Sequence, residues 1–355
     1  MRAAVYYGAH DIRVEDVQGP TGLRPGEVRI EPAFVGICGT DLHEYAEGPI
    51  VIHRDEPHPL TGTTLPQILG HELSAVIREL GPGVTDLMVG DRVAVNPVLS
   101  CGTCVYCRSG EAQVCPFFAG YGLNATWGGL ADEGVVQASM CTVLPESVSL
   151  KQGAVVEPAK VAGYAVDRAR VRAGGSVLIM GGGPIGVLAA LYAHAMGVAT
   201  IIVAEPNPAR RARVDALGIA TVVDPVADDL AGIVLAHTHG LGVDAAIEAA
   251  GKEPALIACI DAVRPRGVVV QAALHTKPVS FDPMPLSLKD ATMEFTWCFK
   301  VHDWQRTVDL IATGTFPVEK SVTSTIRLED VATKGFDALL DPRGDDVKIL
   351  IDLSL

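Results

Sequence analysis

Four cysteines stand at Cys101, Cys104, Cys107 and Cys115, a C-x-x-C-x-x-C-x7-C run within one loop. Four thiolates complete a tetrahedral zinc shell and leave no position for water, so a full set of this kind is structural. An iron–sulfur cluster uses the same ligand type, and an oxidising compartment would pair the thiols as disulfides, so spacing alone leaves both alternatives open. A second metal-capable set is split among three stretches: Cys38-Gly39-Thr40-Asp41-Leu42-His43, Gly70-His71-Glu72 and Glu157-Pro158. Each piece alone also has an ordinary reading, the cysteine as a small buried hydrophobe and the histidine as a satisfied polar group.

A third constellation is Gly181-Gly182-Gly183-Pro184-Ile185-Gly186, a G-x-G-x-x-G turn directly after the apolar run Val177–Met180. With a strand before it and a helix opening at Pro184 and Ile185, the glycines Gly181, Gly183 and Gly186 present backbone N–H groups and a helix dipole to a pyrophosphate. Glu205 closes the next apolar run, near the offset of about 20 residues at which an acid accepts hydrogen bonds from the adenosine ribose hydroxyls. A carboxylate there repels a 2′-phosphate, which favours NAD over NADP. Arg210 and Arg211 follow closely; each either reaches the adenosine end or is a solvated helix residue.

These motifs need elements to hold them. From about Val161 to Trp297 strands alternate with helices: strand Val177–Met180, a helix from Pro184, strand Thr200–Ala204, helix Pro208–Leu217, strand Thr221–Val223, a helical stretch ending near His237, strand Val243–Glu248, helix Glu253–Val263 and strand Val268–Gln271. That alternation predicts a parallel, doubly wound sheet. Before it, Met1 to about Lys160 is rich in Gly, Pro and Val, with short runs at Val28–Ile30, Ser74–Leu80 and Arg92–Val95, the pattern of an irregular and mostly β domain. The tail after Cys298 is too short for a domain of its own, and its last strand, Val347–Leu353, is expected to pair with the first domain. No internal repeat or low-complexity tract is present.

The chain has 355 residues and a formal net charge of −14, so nucleic acid is excluded as a natural partner and two domains are expected. Ala173–Ala204 carries no charge and is long enough to span a bilayer, but its glycines cut it to the lengths of a strand, a helix and a strand, which argues against a membrane span. Charges throughout Met1–Pro20 leave no room for a secretory signal, and eight sparse cysteines suit a reducing compartment; a cytoplasmic protein is expected.

In chain order, Gly36-Ile37-Cys38-Gly39-Thr40-Asp41-Leu42-His43-Glu44-Tyr45, Gly70-His71-Glu72, the four-cysteine loop, Glu157-Pro158 and the glycine-rich turn resemble the medium-chain zinc-dependent alcohol dehydrogenases, over nearly the whole length. Within that family the chain is most similar to the polyol and 2,3-butanediol dehydrogenases, which share a long Pro-containing insertion where this chain has Glu47 to Leu69. The resemblance implies an α/β fold in which a doubly wound Rossmann cofactor domain, residues 161–297, is inserted in a mostly β, GroES-like catalytic domain, residues 1–160 and 298–355. It implies two zinc ions per chain, NAD as cofactor, a small alcohol or ketone as substrate, and a homo-oligomer, dimer or tetramer.

By the same resemblance Cys38, His71 and Glu157 are the ligands of a catalytic zinc with one position left for water or substrate, Glu72 is an alternate ligand, and Asp41 orients His71. The metal lowers the pKa of a secondary alcohol, hydride passes to the nicotinamide, and the proton leaves through Thr40, a ribose hydroxyl and His43. Thr40 also suits a helix cap and His43 an exposed loop. Lys348 is implied at the pyrophosphate, although its charge equally fits a solvated strand end. His53 and His58 have no role in the pattern and read as loop residues.

The chain departs from the family after Glu157-Pro158. Ala159 is followed by Lys160, and Tyr164 stands where related branches often have histidine. Lys160 either recognises an anionic or carbonyl-bearing substrate or snorkels from a helix start into water. Trp127, Trp297 and Phe299 either wall the pocket or belong to the core. Two rival functions remain at this level, a zinc-free quinone or enone reductase of the same fold and a non-catalytic dinucleotide-binding protein with only the structural zinc; metal content separates them.

Overall fold

The computed structural model of the chain describes residues 1–341 and 343–355. Its N-terminal stretch builds β1 (Arg2–Gly8), β2 (Asp11–Asp16), β3 (Glu27–Gly36), helix α1 (Gly39–Glu47), β4 (Gln67–Ile68), β5 (Glu72–Leu80) and β6 (Arg92–Val95). The short pair β7 (Val98–Leu99) and β8 (Ala119–Gly120) follows, with the helical turn α2 (Val105–Arg108) between its strands, and then β9 (Gly134–Gln137), β10 (Cys141–Val143) and the turn α3 (Leu150–Gly153). Alternation decides the faces: on β3, Val28 and Ile30 are buried in the core, while Arg29 pairs outside with Glu79 and Glu133.

The middle of the chain runs α4 (Val156–Ala169), β11 (Ser176–Met180), α5 (Pro184–Ala195), β12 (Thr200–Ala204), α6 (Pro208–Asp215), β13 (Thr221–Val223), α7 (Leu230–His237), β14 (Val243–Glu248), α8 (Glu253–Ala262), β15 (Val263–Gln271), α9 (Met284–Leu288) and β16 (Thr292–Phe295). The six strands pair in parallel in the order β13-β12-β11-β14-β15-β16, with a core of Leu178, Ile202, Ala246 and Val269. The order reverses between β11 and β14, the point at whose carboxyl edge doubly wound sheets bind their ligands.

The chain then returns to the first sheet with β17 (Ser324–Arg327) and β18 (Ile349–Asp352). That sheet has the order β10-β6-β5-β3-β18-β17, and β9 also pairs with β3. The final strand lies antiparallel to β3, Leu350 opposite Gly36, which answers the pairing demanded by its apolar run. Two compact units result. One comprises Met1–Glu157, Lys300–Gly314 and Val322–Leu355, and the other Pro158–Phe299 with Thr315–Ser321. The boundary falls within α4, and Thr315–Ser321 clusters with the second unit, where the Phe316 ring meets Tyr192 edge-on at 5.5 Å. Ala173–Ala204 is β11, α5 and β12, and no helix among the described residues is long and apolar enough to cross a membrane.

Candidate active site

Strand β3 ends at Gly36 and delivers Cys38 as the residue capping α1; Asp41, in the first turn, accepts the Cys38 N–H at 3.0 Å. Strand β5 begins at Glu72, directly opposite Gly36, so its register carries His71 and Glu72 to the same place. Gly70, immediately before them, has φ +99°, and a Cβ there would meet Val35 Cγ1 at 2.8 Å and the Leu130 nitrogen at 2.9 Å. Only glycine fits that turn. The outcome is a cluster in which donor atoms of Cys38, His71 and Glu72 all lie within 4.8 Å of one another.

Asp41 also faces His71, Oδ1 lying 3.3 Å from Nδ1. The contact misses hydrogen-bond geometry, and both buried atoms lack a hydrogen-bond partner among the described residues. With Nδ1 directed at Asp41, Nε2 is the nitrogen left for a metal. Glu72 accepts from the buried ammonium of Lys348, which also donates to the Ile37 carbonyl at 3.0 Å. Thr40 Oγ1 is 3.8 Å from Cys38 Sγ, and His43 lies half-buried one turn further along α1.

Burial pushes the Cys38 thiol up, with His71 opposing the shift. Burial works against the charged form of His71 too, yet Asp41 and Cys38 hold its pKa well above the usual histidine value. Burial also raises Glu157, to about 7, while His71 pulls it down and Glu72 adds to the rise. Soft sulfur, imidazole and carboxylate, the last two buried and the sulfur partly so, are a zinc donor set with room for a further ligand.

The structure refines several expectations. Glu72 is the carboxylate within the 4.8 Å set, while Glu157 is buried nearby and senses His71, Glu72 and Lys348 electrostatically without joining that set. Lys348 sits neither on a solvated strand end nor with its charge open; it is 1% exposed and engaged with Glu72, a pairing no motif signalled because the partners lie 276 positions apart. Lys160 is 3% exposed in α4, so the snorkelling reading is corrected: the helix buries that face. Trp127 packs on the hydrophobic core of the first unit, and His58, read as a plain loop residue, is buried and hydrogen-bonded to the Phe118 carbonyl.

The four-cysteine loop converges as its spacing demands. Sγ–Sγ distances are 3.4 Å for Cys104–Cys107, 3.6 Å for Cys115–Cys101, and 3.9 Å for both Cys101–Cys107 and Cys104–Cys115. Such separations rule out disulfides among these four and match the roughly 3.8 Å that tetrahedral Zn–S bonds of about 2.3 Å impose. Backbone N–H groups of Thr103 and Cys104 bring Cys101 down to about 6, whereas burial raises Cys115 to about 11. Zinc fits this loop.

In the second unit Gly183 caps α5, Pro184 occupies its first turn, and a Cβ on Gly186 would fall 1.9 Å from the Gly181 carbonyl oxygen. Glu205 accepts the N–H of Gly182 at 2.7 Å and of Asn207 at 2.8 Å, bracing the turn. Arg211 is held by the Glu205 and Pro206 carbonyls and by Asp224, while Arg210 is partly buried at the helix start. At the end of β14, the buried Glu248 meets His275 Nε2 at 3.0 Å, a pair that sequence reasoning missed because His275 lies in a loop without a motif.

Comparison with known proteins agrees with this geometry. Residues 24–146 match the alcohol dehydrogenase GroES-like domain and residues 184–313 the zinc-binding dehydrogenase family. The chain is 35% identical over 351 residues to (R,R)-butanediol dehydrogenase of Bacillus subtilis, covering 99% of each chain. It is 34% identical over 353 residues to 2-dehydro-3-deoxy-L-galactonate 5-dehydrogenase of Pseudoalteromonas atlantica, covering 99% and 98%. The crystal structure of 2R,3R-butanediol dehydrogenase from Bacillus subtilis superimposes with a TM-score of 0.92 at 34% identity, covering 99% of both chains. With its metal-capable clusters, glycine-rich turn and full-length similarity, the chain belongs to the medium-chain zinc-dependent alcohol dehydrogenases, in their polyol and butanediol branch.

Proposed function

We propose that this enzyme transfers a hydride between a secondary alcohol of the small diol or polyol class and NAD. The observation that carries the reading is the convergence of Cys38, His71 and Glu72 on one point, separate from the complete thiolate set of the cysteine loop. Cys38 and His71 would hold the catalytic zinc with a carboxylate from Glu72 or Glu157. When bound, zinc supplies Lewis acidity that lowers the pKa of the substrate hydroxyl.

The chain's own residues carry the remaining steps. Asp41 orients His71, and Thr40, beside the Cys38 sulfur, takes the substrate proton at Oγ1 and passes it outward toward His43, one turn along the same helix. Gly181, Gly183, Pro184, Ile185 and Gly186 cradle the pyrophosphate, and the Glu205 carboxylate selects the unphosphorylated ribose. Exposed Leu288 and Phe295, on α9 and the sheet-edge strand β16, support a homo-oligomer. Sparse cysteines, four of them gathered in one metal-capable loop, support a cytoplasmic location.

The test is a screen of secondary alcohols, diols, sugars and hydroxy acids with NAD and NADP, following nicotinamide absorbance, on protein carrying two zinc ions per chain. NAD reduction with a diol or polyol is expected. Failure of every alcohol despite full zinc occupancy would remove the reading.

A further inference from the structure

The insertion that follows α1 carries a hydrogen-bonded bridge between the two arms of the candidate metal centre. Glu44, on α1 and fully buried, takes the backbone N–H groups of Ile50 at 3.0 Å, Val51 at 2.5 Å and Ile52 at 3.2 Å. A Cβ on Gly48 would lie 2.3 Å from the Glu44 carbonyl oxygen and 2.6 Å from its carboxylate, so the chain folds back onto the helix with no space to spare. The same Val51 that donates to Glu44 accepts at its carbonyl from Asn124 Nδ2 at 2.7 Å. Asn124 Oδ1 accepts the Gly120 N–H at 3.1 Å, tying Asn124 into the 120–130 loop.

That loop lies flat on the strand leading to His71. Gly129 donates to the Gly70 carbonyl at 2.7 Å and Leu130 to the Leu69 carbonyl at 2.9 Å. A Cβ on Gly122 would stand 2.2 Å from Gly70 O and 3.0 Å from the His71 nitrogen. One arm of the cluster is α1, which Cys38 caps; the other is the Gly70–Glu72 turn. The peptide unit at Val51 pins them together, through a buried carboxylate on one side and a buried amide on the other. Neither Glu44 nor Asn124 touches the metal donors.

We propose that Glu44 and Asn124 are positioning residues that set the spacing of Cys38 and His71 through Val51, so that the insertion acts as a brace for the catalytic metal. The inference rests on the metal reading above. Groups hydrogen-bonded directly to metal donors are worth roughly 10-fold to 100-fold in metal affinity, and a brace one step further out acts at the lower end of that range. Asn124→Asp keeps an acceptor for Gly120 but sets an oxygen against the Val51 carbonyl; Glu44→Gln sets an amide donor among three N–H donors.

The experiment compares wild type and both variants as zinc-loaded holoenzymes, measuring zinc released to excess dipicolinate and, after cobalt replacement, the visible absorption of the mixed-donor site. The thiolate loop serves as an internal control. Either variant should lose one zinc at least 10-fold faster than wild type, with altered cobalt bands from the mixed site and unchanged release from the thiolates. Unchanged release of both ions, parallel loss of both, or failure of both variants to fold would overturn the brace. A wild type that holds only the thiolate zinc would instead defeat the metal reading, and the brace with it.

Discussion

Lys348 and Glu72 form an ion pair inside the first unit with both side chains 1% exposed. The antiparallel pairing of β18 with β3 brings the lysine there, and its second bond, to Ile37 O, anchors the ammonium one residue before Cys38. Glu72 is therefore charge-balanced by the protein itself, through a lysine that immediately precedes the last strand.

Lys348→Met should destabilise the protein by about 3–5 kcal/mol, the cost of leaving one partner of a buried pair uncompensated. The double variant Lys348→Met with Glu72→Leu should recover a large part of that loss, since apolar replacement of both partners is often neutral. Urea unfolding of the two variants checks this. A Lys348→Met protein within 1 kcal/mol of wild type would show that the pair holds no stability.

Three groups in and beside the candidate metal centre are shifted upward: Glu157 to about 7 and Cys38 upward, both chiefly by burial, and His71 upward by Asp41 and Cys38 against burial. An upward shift means the native chain binds protons that the unfolded chain has released, so stability falls as pH rises. For Glu157 the contribution is lost between pH 4.5 and about 7, for His71 from 6.5 upward, and for Cys38 above 9. Chelator-treated protein should accordingly lose stability as pH climbs from 5 to 8, and zinc uptake at pH 7 should release protons from Cys38 and His71. Zinc titration in a weakly buffered indicator solution reads that release. Uptake without proton release would mean the donors were already in their binding forms.

Much of this was readable before any coordinates. The Rossmann strands announce themselves because strands covered on both faces are continuous apolar runs, as in Val177–Met180 and Thr200–Ala204. The strand Thr292–Phe295 escaped notice for the opposite reason: it lies at the sheet edge with Thr292 and Phe295 exposed, and its neighbours are polar. The cysteine, histidine and acid that gather at the candidate centre were legible by residue type, since few other roles bring such motifs together. That Glu72 and not Glu157 sits in the close set with Cys38 and His71 was not legible, because strand register and the Lys348 pairing place it there, and both are long-range. Lys160 misled for a related reason, as helix burial depends on what packs against that face.

Glu205 has two duties, and one substitution should separate them. Its carboxylate braces Gly182 and Asn207 through their N–H groups, and on the proposed reading the same charge repels a 2′-phosphate. Glu205→Gln keeps an acceptor oxygen but removes the charge, so discrimination against NADP should narrow while NAD affinity falls only modestly. Glu205→Ala removes both and should weaken either cofactor, because the turn loses its brace. Fluorescence titration with NADH and NADPH separates the outcomes; equal effects of the two variants on the NADPH to NADH ratio and on NADH affinity would mean the brace has no role.

The cysteine lobe should behave as a separable folding unit with its own metal. Its thiolates fit a tetrahedral ion, and its base is tied by Glu111 to Lys300 at 2.5 Å and by Phe118 O to His58. Few apolar side chains are buried within it; Val105, Tyr106, Val114 and Phe117 are all exposed. Metal bonds therefore replace the missing core. Cys104→Ala should remove one of two zinc ions, leave the Cys38–His71 ion bound, and open the segment between Cys101 and Phe118 to proteases under conditions where wild type resists. Metal analysis joined to limited proteolysis gives the answer, and a Cys104→Ala protein that keeps both ions or stays uncut would show that the lobe stands without its zinc.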